Sequence, residues 1–259
     1  MTDSRPASRD NVWTPQVSAA LARFDPRETR FRHAVALGVA ALSRFLMLRL
    51  NRVDIHGRAR LDEVRALQEP GRGLLTFSNH VSLFDDPWLL SCFSGAEWAA
   101  LRWVAADAIN FFGTPWKAAL FNAGKAVPIV RGAGIDQPGM TFLIERLQAG
   151  DWVHIFPEGG RSREPEGHLR RPLKAGLAEL VQRSTPLLLG FHHRGMHAVA
   201  PIGSRVPRIG QRVSVRFGEA KDSTSLASDP HALMQWVEAE LLRLEALAFD
   251  PDGDPGEPS

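Results

Sequence analysis

The sequence predicts a single α/β domain, a central sheet flanked by helices and preceded by an N-terminal helical segment. Two observations carry that prediction. Short apolar runs of strand length alternate along the chain with longer segments of helical period, the order that builds a helix-covered sheet. The 259 residues, 44% hydrophobic and 23% charged, also suffice to bury one sizeable core.

Residues 1–30 are polar and interrupted by prolines, with helical spacing only in VSAALARF at 17–24. An opening of that kind is unlike the early apolar stretch of a signal peptide. Residues 31–52 hold the most apolar early segment, HAVALGVAALSRFLMLRL from His33 to Leu50. Arg44 and Arg49 interrupt it, and it falls short of the ~20 residues needed to span a bilayer. The expectation is therefore no spanning helix, but either an interfacial helix with its arginines among headgroups or a helix of the core.

The remaining elements are assigned to one domain over residues 53–248. GRGLLTFSNH (71–80) reads as a buried strand, and DDPWLLSCF (85–93) as a helix with Asp86 as N-cap and Pro87 at its first position. AGKAVPIVRG (123–132) gives a strand ending at Arg131, MTFLIERLQAG (140–150) a helix closed by Gly150, and DWVHIF (151–156) a strand stopped by Pro157. A glycine- and arginine-rich loop then feeds the helix LKAGLAELVQRS, followed by the strand TPLLLGFHH. QRVSVRFGEA supplies a late strand, and DPHALMQWVEAELLRLEALAF a long helix capped by Asp229 and Pro230. Residues 249–259 are expected to be a disordered tail, since Pro255 and the missing glutamate spoil the resemblance of Asp250, Asp252 and Asp254 to a calcium loop.

Composition narrows the function. Lys and Arg number 31 against 29 Asp and Glu, interspersed and without a recognised motif, so a nucleic-acid partner is not expected. The single cysteine, Cys92, forbids an internal disulfide or a cysteine zinc cage. No G-x-S-x-G elbow supplies a serine nucleophile. His192, His193 and His197 lie close in sequence, but no carboxylate or cysteine completes a metal set, so none is assigned.

Two loops carry the chemistry. In SNHVSLFDDP (78–87), His80 and Asp85 would diverge on one continuous helix, but across a strand-to-helix turn they can meet at hydrogen-bond distance. A neutral imidazole held at one nitrogen by a carboxylate can take a proton at the other. The alternative is that the aspartates only decorate a helix start, the reading adopted for Asp86. In HIFPEGGRSR (154–163), Arg161 and Arg163 suit phosphate, and Glu158 suits polyol hydroxyls. A proline-glycine turn with solvated charges would explain that loop alone. It explains less well why His80, Arg131 and Glu158 all follow strand-like runs, where α/β sheets gather ligands. The aromatic stretch NFFGTPWKAALF (110–121) is core or touches lipid.

NHVSLFDDP resembles the N-H-x4-D motif, and FPEGGRS the F-P-E-G motif, of the glycerolipid acyltransferases. GKAVPIVRGAG, GDWVHIFPEG and H-x-G-M at 193–196 resemble the tafazzin-type phospholipid-lysophospholipid transacylases in order and spacing, so the similarity runs from about Ser78 to Gly218. The resemblance implies a glycerolipid acyltransferase fold with a mixed sheet, His80 as general base and Asp85 as its orienting partner. It further implies that Phe156, Pro157, Glu158 and Gly159 position the acceptor and that Arg131 contacts its phosphate. No covalent acyl-enzyme and no cofactor are expected; the acyl donor is either a phospholipid or an acyl-CoA or acyl-carrier-protein thioester. The implied partners are phospholipid and lysophospholipid substrates and a membrane surface: the cytoplasmic face of the inner membrane in a bacterium, a mitochondrial membrane in a eukaryote. Gly160 departs from both branches. The lysophosphatidate enzymes typically carry Thr or Ser there before the arginine, and the tafazzin type carries lysine.

Overall fold

The computed structural model describes residues 12–93, 100–204 and 206–249; the predicted tail lies outside them, except for Phe249. In chain order the elements are α1 (Pro15–Leu21), α2 (Arg30–Leu48), β1 (Arg52–His56), α3 (Arg58–Ala66), β2 (Leu74–Ser78), β3 (Trp103–Asp107), α4 (Ala108–Phe112), α5 (Pro115–Ala123), β4 (Ala126–Ile129), α6 (Pro138–Gln148), β5 (Trp152–Ile155), α7 (Gly176–Ser184), β6 (Leu187–Arg194), α8 (Met196–Val199), β7 (Arg212–Phe217), β8 (Lys221–Asp222) and α9 (Pro230–Phe249).

One mixed sheet runs in the order β1-β7-β6-β2-β5-β3-β4, with β8 pairing on β6. The five strands from β6 to β4 are parallel, so their carboxyl ends share one edge; β7 runs antiparallel to β6. Central β2 is buried at all five positions, the polar Thr76 and Ser78 included, because the sheet is covered on both faces. Its odd positions Leu75 and Phe77 pack with α6, α7 and α9 through Leu143, Leu147, Leu180 and Leu241. Leu74 faces the opposite layer, with Met47 of α2, Leu61 and Val64 of α3 and Phe191 of β6. A third cluster joins α1, α4 and α5 over Val104 and Ala126.

Helix α2 starts three residues earlier than its apolar run, because the Thr29 side chain accepts the Arg32 amide and caps it. Its 19 residues are, by length and composition alone, apolar enough to cross a membrane, which corrects the expectation that it falls short. One face nevertheless packs on the protein: Ala40, Ser43 and Met47 are buried, and Arg44 Nε donates to the Ser91 carbonyl at 2.8 Å.

The segment after His80 is a second correction. Residues Asp85–Leu89 form a π-helical turn followed by a 3-10 turn at Leu90–Cys92, and Phe84, not Asp86, occupies the cap. The Asp85 side chain turns back onto its own loop, accepting the Val81 and Ser82 amides. The Leu90 amide reaches five residues back to the Asp85 carbonyl, the wide spacing of a π turn. Asp86 instead forms a two-pronged ion pair with buried Arg102, Nε to Oδ1 at 2.8 Å and Nη2 to Oδ2. That pair ties the turn to the residue preceding β3.

Candidate active site

The parallel strands deliver polar residues to one edge. β2 ends in Asn79 and His80, β5 in Phe156 through Gly159, β3 in Asp107, and β4 leads to Arg131. β2 and β5 are hydrogen-bonded neighbours, so His80 and the Phe156 loop must lie side by side.

His80 Nδ1 stands 3.0 Å from Asp85 Oδ2. That oxygen also accepts the amides of Val81 at 2.7 Å and Ser82 at 2.9 Å, so the carboxylate is fixed by its own loop before it orients the ring. Burial would raise the Asp85 carboxyl; His193, His80 and the Ser82 amide outweigh it, and the net shift is downward. An ionised Asp85 accepts only, so His80 Nδ1 donates to it, and Nε2 is the ring nitrogen not engaged by the carboxylate. The Asp85 side chain is sealed, but the His80 side chain remains 18% exposed.

Phe156 stacks on the His80 ring with centroids 4.1 Å apart and planes 19° from parallel. Phe156 is in turn backed edge-on by His154 at 4.6 Å. His154 is fully buried, its Nδ1 2.8 Å from Thr76 Oγ1, which also accepts Trp152 Nε1 at 2.8 Å. Burial drives His154 well below the ordinary histidine range, so this ring is a neutral support and not a second base.

Glu158 is buried with both oxygens on the backbone. Oε1 accepts the His80 amide at 2.5 Å, Oε2 accepts the Arg170 amide at 2.8 Å, and the Arg170 guanidinium binds the Glu158 carbonyl. Burial raises this carboxyl to about 7 against the pull of the two amides. Pro157 is buried and its carbonyl accepts the Lys174 amide at 2.7 Å. Gly159 takes φ +66°, and a Cβ there would meet the Lys174 stem at 2.8 Å, so both backbone and space call for glycine.

Arg131 Nε pairs with Asp107 at 2.9 Å while 63% of its side chain stays exposed. Arg131 and Arg170 converge over Gly160: a Cβ on that glycine would lie 3.5 Å from Arg170 Nη2 and 3.7 Å from Arg131 Nη1. Arg161 is half-buried beside Ser162, whose amide donates to the His80 carbonyl at 2.6 Å. His80, Asp85, Arg131, the Phe156–Gly159 loop and Arg161 thus lie along this edge, but Glu158, sealed with both oxygens on backbone amides, is closed to the hydroxyls expected of it. Asn79, Arg170, Asp107 and His154 were missed as members. Arg170 sits within the basic run HLRRPLK, and Asp107 carries a signal only once Trp103–Asp107 is known to be a strand.

A family model described as Acyltransferase matches residues 52–202. The chain is 35% identical over 175 residues to an N-acylphosphatidylethanolamine synthase of Arabidopsis thaliana, covering 66% of this chain and 61% of that protein. It is 31% identical over 201 residues to tafazzin of Drosophila melanogaster, covering 75% and 52%, so it spans just over half to three-fifths of these relatives' lengths. The crystal structure of a 1-acyl-sn-glycerophosphate acyltransferase from Thermotoga maritima superposes with a TM-score of 0.59 at 22% identity, over 85% of this chain and 84% of that one, a likeness of fold. With its family match extending from β1 past the end of β6, the chain belongs to the acyltransferase family.

Proposed function

We propose that the protein transfers a fatty acyl chain to the free hydroxyl of a lysophospholipid at a membrane surface. The observation that carries this reading is the His80–Asp85 contact of 3.0 Å beneath an accessible ring. His80 Nε2 takes the proton of the lipid hydroxyl as its oxygen attacks the donor's acyl carbon. The tetrahedral intermediate then expels the donor's alcohol or thiol, which recovers that proton from the imidazolium. The acyl chain passes directly to the acceptor, and no residue of the protein is acylated. Such base catalysis is worth roughly 10² to 10⁴-fold. Glu158 acts by holding the peptide of the base, and Arg131 with Arg161 and Arg170 receives the phosphate of the acceptor.

Membrane association is supported by α2. Its outward positions Phe31, Ala34, Leu37, Gly38, Ala41, Leu42, Phe45 and Leu48 are all exposed and all apolar, an uninterrupted stripe at helical spacing. The neighbouring α5 adds exposed Trp116 and Leu120. The buried face of α2 packs on the turn Asp85–Leu89, so a helix lying in the lipid interface would set the catalytic turn beside its substrate.

The donor separates the two enzymatic readings. The tafazzin-type motifs favour a phospholipid donor; the alternative is an acyl-CoA or acyl-carrier-protein thioester with 1-acylglycerol 3-phosphate as acceptor. Purified protein is incubated with labelled lysophospholipid, or with labelled 1-acylglycerol 3-phosphate, in vesicles with and without acyl thioester. Label in the diacyl product without thioester is expected. Product only with thioester would replace the transacylase reading, and vesicle binding without product from any donor would reduce the protein to a lipid-surface module.

A further inference from the structure

Two buried side chains grip the peptide that carries His80. Glu158 Oε1 accepts its N–H at 2.5 Å, and His193 Nε2 lies 3.2 Å from its carbonyl, the Asn79 oxygen. A carbonyl can only accept, so Nε2 of His193 bears the proton. Burial lowers this ring to about 4, so near neutral pH it holds one proton, and that proton has one assigned place. The same Nε2 stands 3.6 Å from Asp85 Oδ2, the oxygen that orients His80.

The bond network is reciprocal. Asn79 Nδ2 donates to the His193 carbonyl at 2.9 Å, and the His193 amide donates to Asn79 Oδ1 at 2.9 Å. Residues 79 and 193 are therefore locked at three points, main chain and side chain, although they are 114 positions apart. Asp85 and His80 face His193 from the turn, His192 stands beside it on β6 with ring centroids 6.4 Å apart, and His154 approaches from β5. Of these only Asp85 is both charged and sealed, with Oδ2 3.6 Å from the His193 Nε2.

We infer that His193 is a positioning residue for the base: its Nε2–H holds the Asn79 carbonyl and faces Asp85, so that the His80 ring is fixed from below as Glu158 fixes it from the side. Its side chain is fully buried, so it touches no substrate. The inference rests on His80 being the base.

The test compares His193→Leu, His193→Asn and His193→Gln. Glutamine carries an N–H to the place of Nε2, while asparagine reaches only that of Nδ1 and leucine offers none. Misplacing a reacting group by about 1 Å is enough to lose on the order of 10² in rate, so leucine and asparagine are expected to lower kcat by about that factor with KM for lysolipid changed less than about threefold. Glutamine is expected to restore most of kcat. A second readout does not depend on turnover: the proton resonance of His80 Nδ1–H, identified by its loss in His80→Gln, stays in place in His193→Gln and shifts or broadens in the other two. Should the leucine variant fail to fold, asparagine against glutamine carries the same contrast. Equal kcat in all three variants, whether retained or lost, or an unmoved resonance in His193→Asn, overturns the inference. Wild-type protein inactive with every donor would defeat the proposed function and leave the resonance to decide this point.

Discussion

Glu158→Gln is nearly isosteric, and its consequences can be worked from two contacts. The carboxylate accepts one amide on each oxygen. Glutamine keeps one acceptor and turns an NH₂ toward the other amide, leaving a buried donor unpaired at roughly 1–3 kcal/mol. A pH dependence lies on top. The folded carboxyl titrates at about 7 against an ordinary 4.5, so its contribution to stability is full below 4.5 and is lost as pH rises through 7. One unit under that midpoint, at pH 6, about 1.4 kcal/mol remains, and at pH 8 almost nothing. Glutamine does not titrate, so the stability gap between wild type and variant should narrow by about 1.4 kcal/mol from pH 6 to pH 8. Urea unfolding at pH 6, 7 and 8 measures it, with all other titrations cancelling in the difference. Because one of the two amides held by Glu158 belongs to His80, disturbing this grip should lower acyl transfer by on the order of 10²-fold. A gap that is constant or widens with pH would refute the burial argument, and wild-type turnover would refute the gripping role of Glu158.

Three further outcomes are expected. Asp86→Ala strands buried Arg102 and should destabilise by about 3–5 kcal/mol, read from the urea midpoint; an unchanged midpoint would mean the pair is not formed. Gly195→Ala meets φ +100° and the Arg212 carbonyl, and thermal unfolding should show a loss of roughly 1–3 kcal/mol from backbone strain alone. Replacing both Leu42 and Phe45 by Glu, on the exposed stripe of α2, should weaken vesicle binding by at least ~10-fold in a flotation assay while the melting temperature holds.

How legible all this was depends on where the information lies. Fully buried strands announce themselves by their apolar residues: LLLGF is apolar throughout because both faces are covered, and LLTFS and WVHI depart from that only at Thr76, Ser78 and His154, which are buried too. The capped helices α6 and α9 were equally plain. β1 is half-exposed throughout, and β3, WVAAD, is alanine-rich and becomes a strand through its neighbours β4 and β5. α3 buries only Leu61 and Val64, too few to print a period. At the site, the meeting of His80 and Asp85 was legible because five residues and a turn bring them together. The partners of Glu158 were not, since a sequence cannot reveal that a carboxylate expected to meet hydroxyls is already occupied by amides from 78 and 12 residues away. Asp86 misled for a related reason: Asp-Pro favours a helix start locally, and the distant Arg102 recruited it.

The most direct measurement is a single-turnover comparison of wild type and His80→Gln, folded and bound to the same vesicles, following labelled lysophospholipid into diacyl product. An abolished or at least ~10²-fold slower product burst in the variant, with lipid binding unchanged, is the predicted result. Product formed at the wild-type rate without the imidazole, or an acylated protein recovered on quenching, would contradict the account.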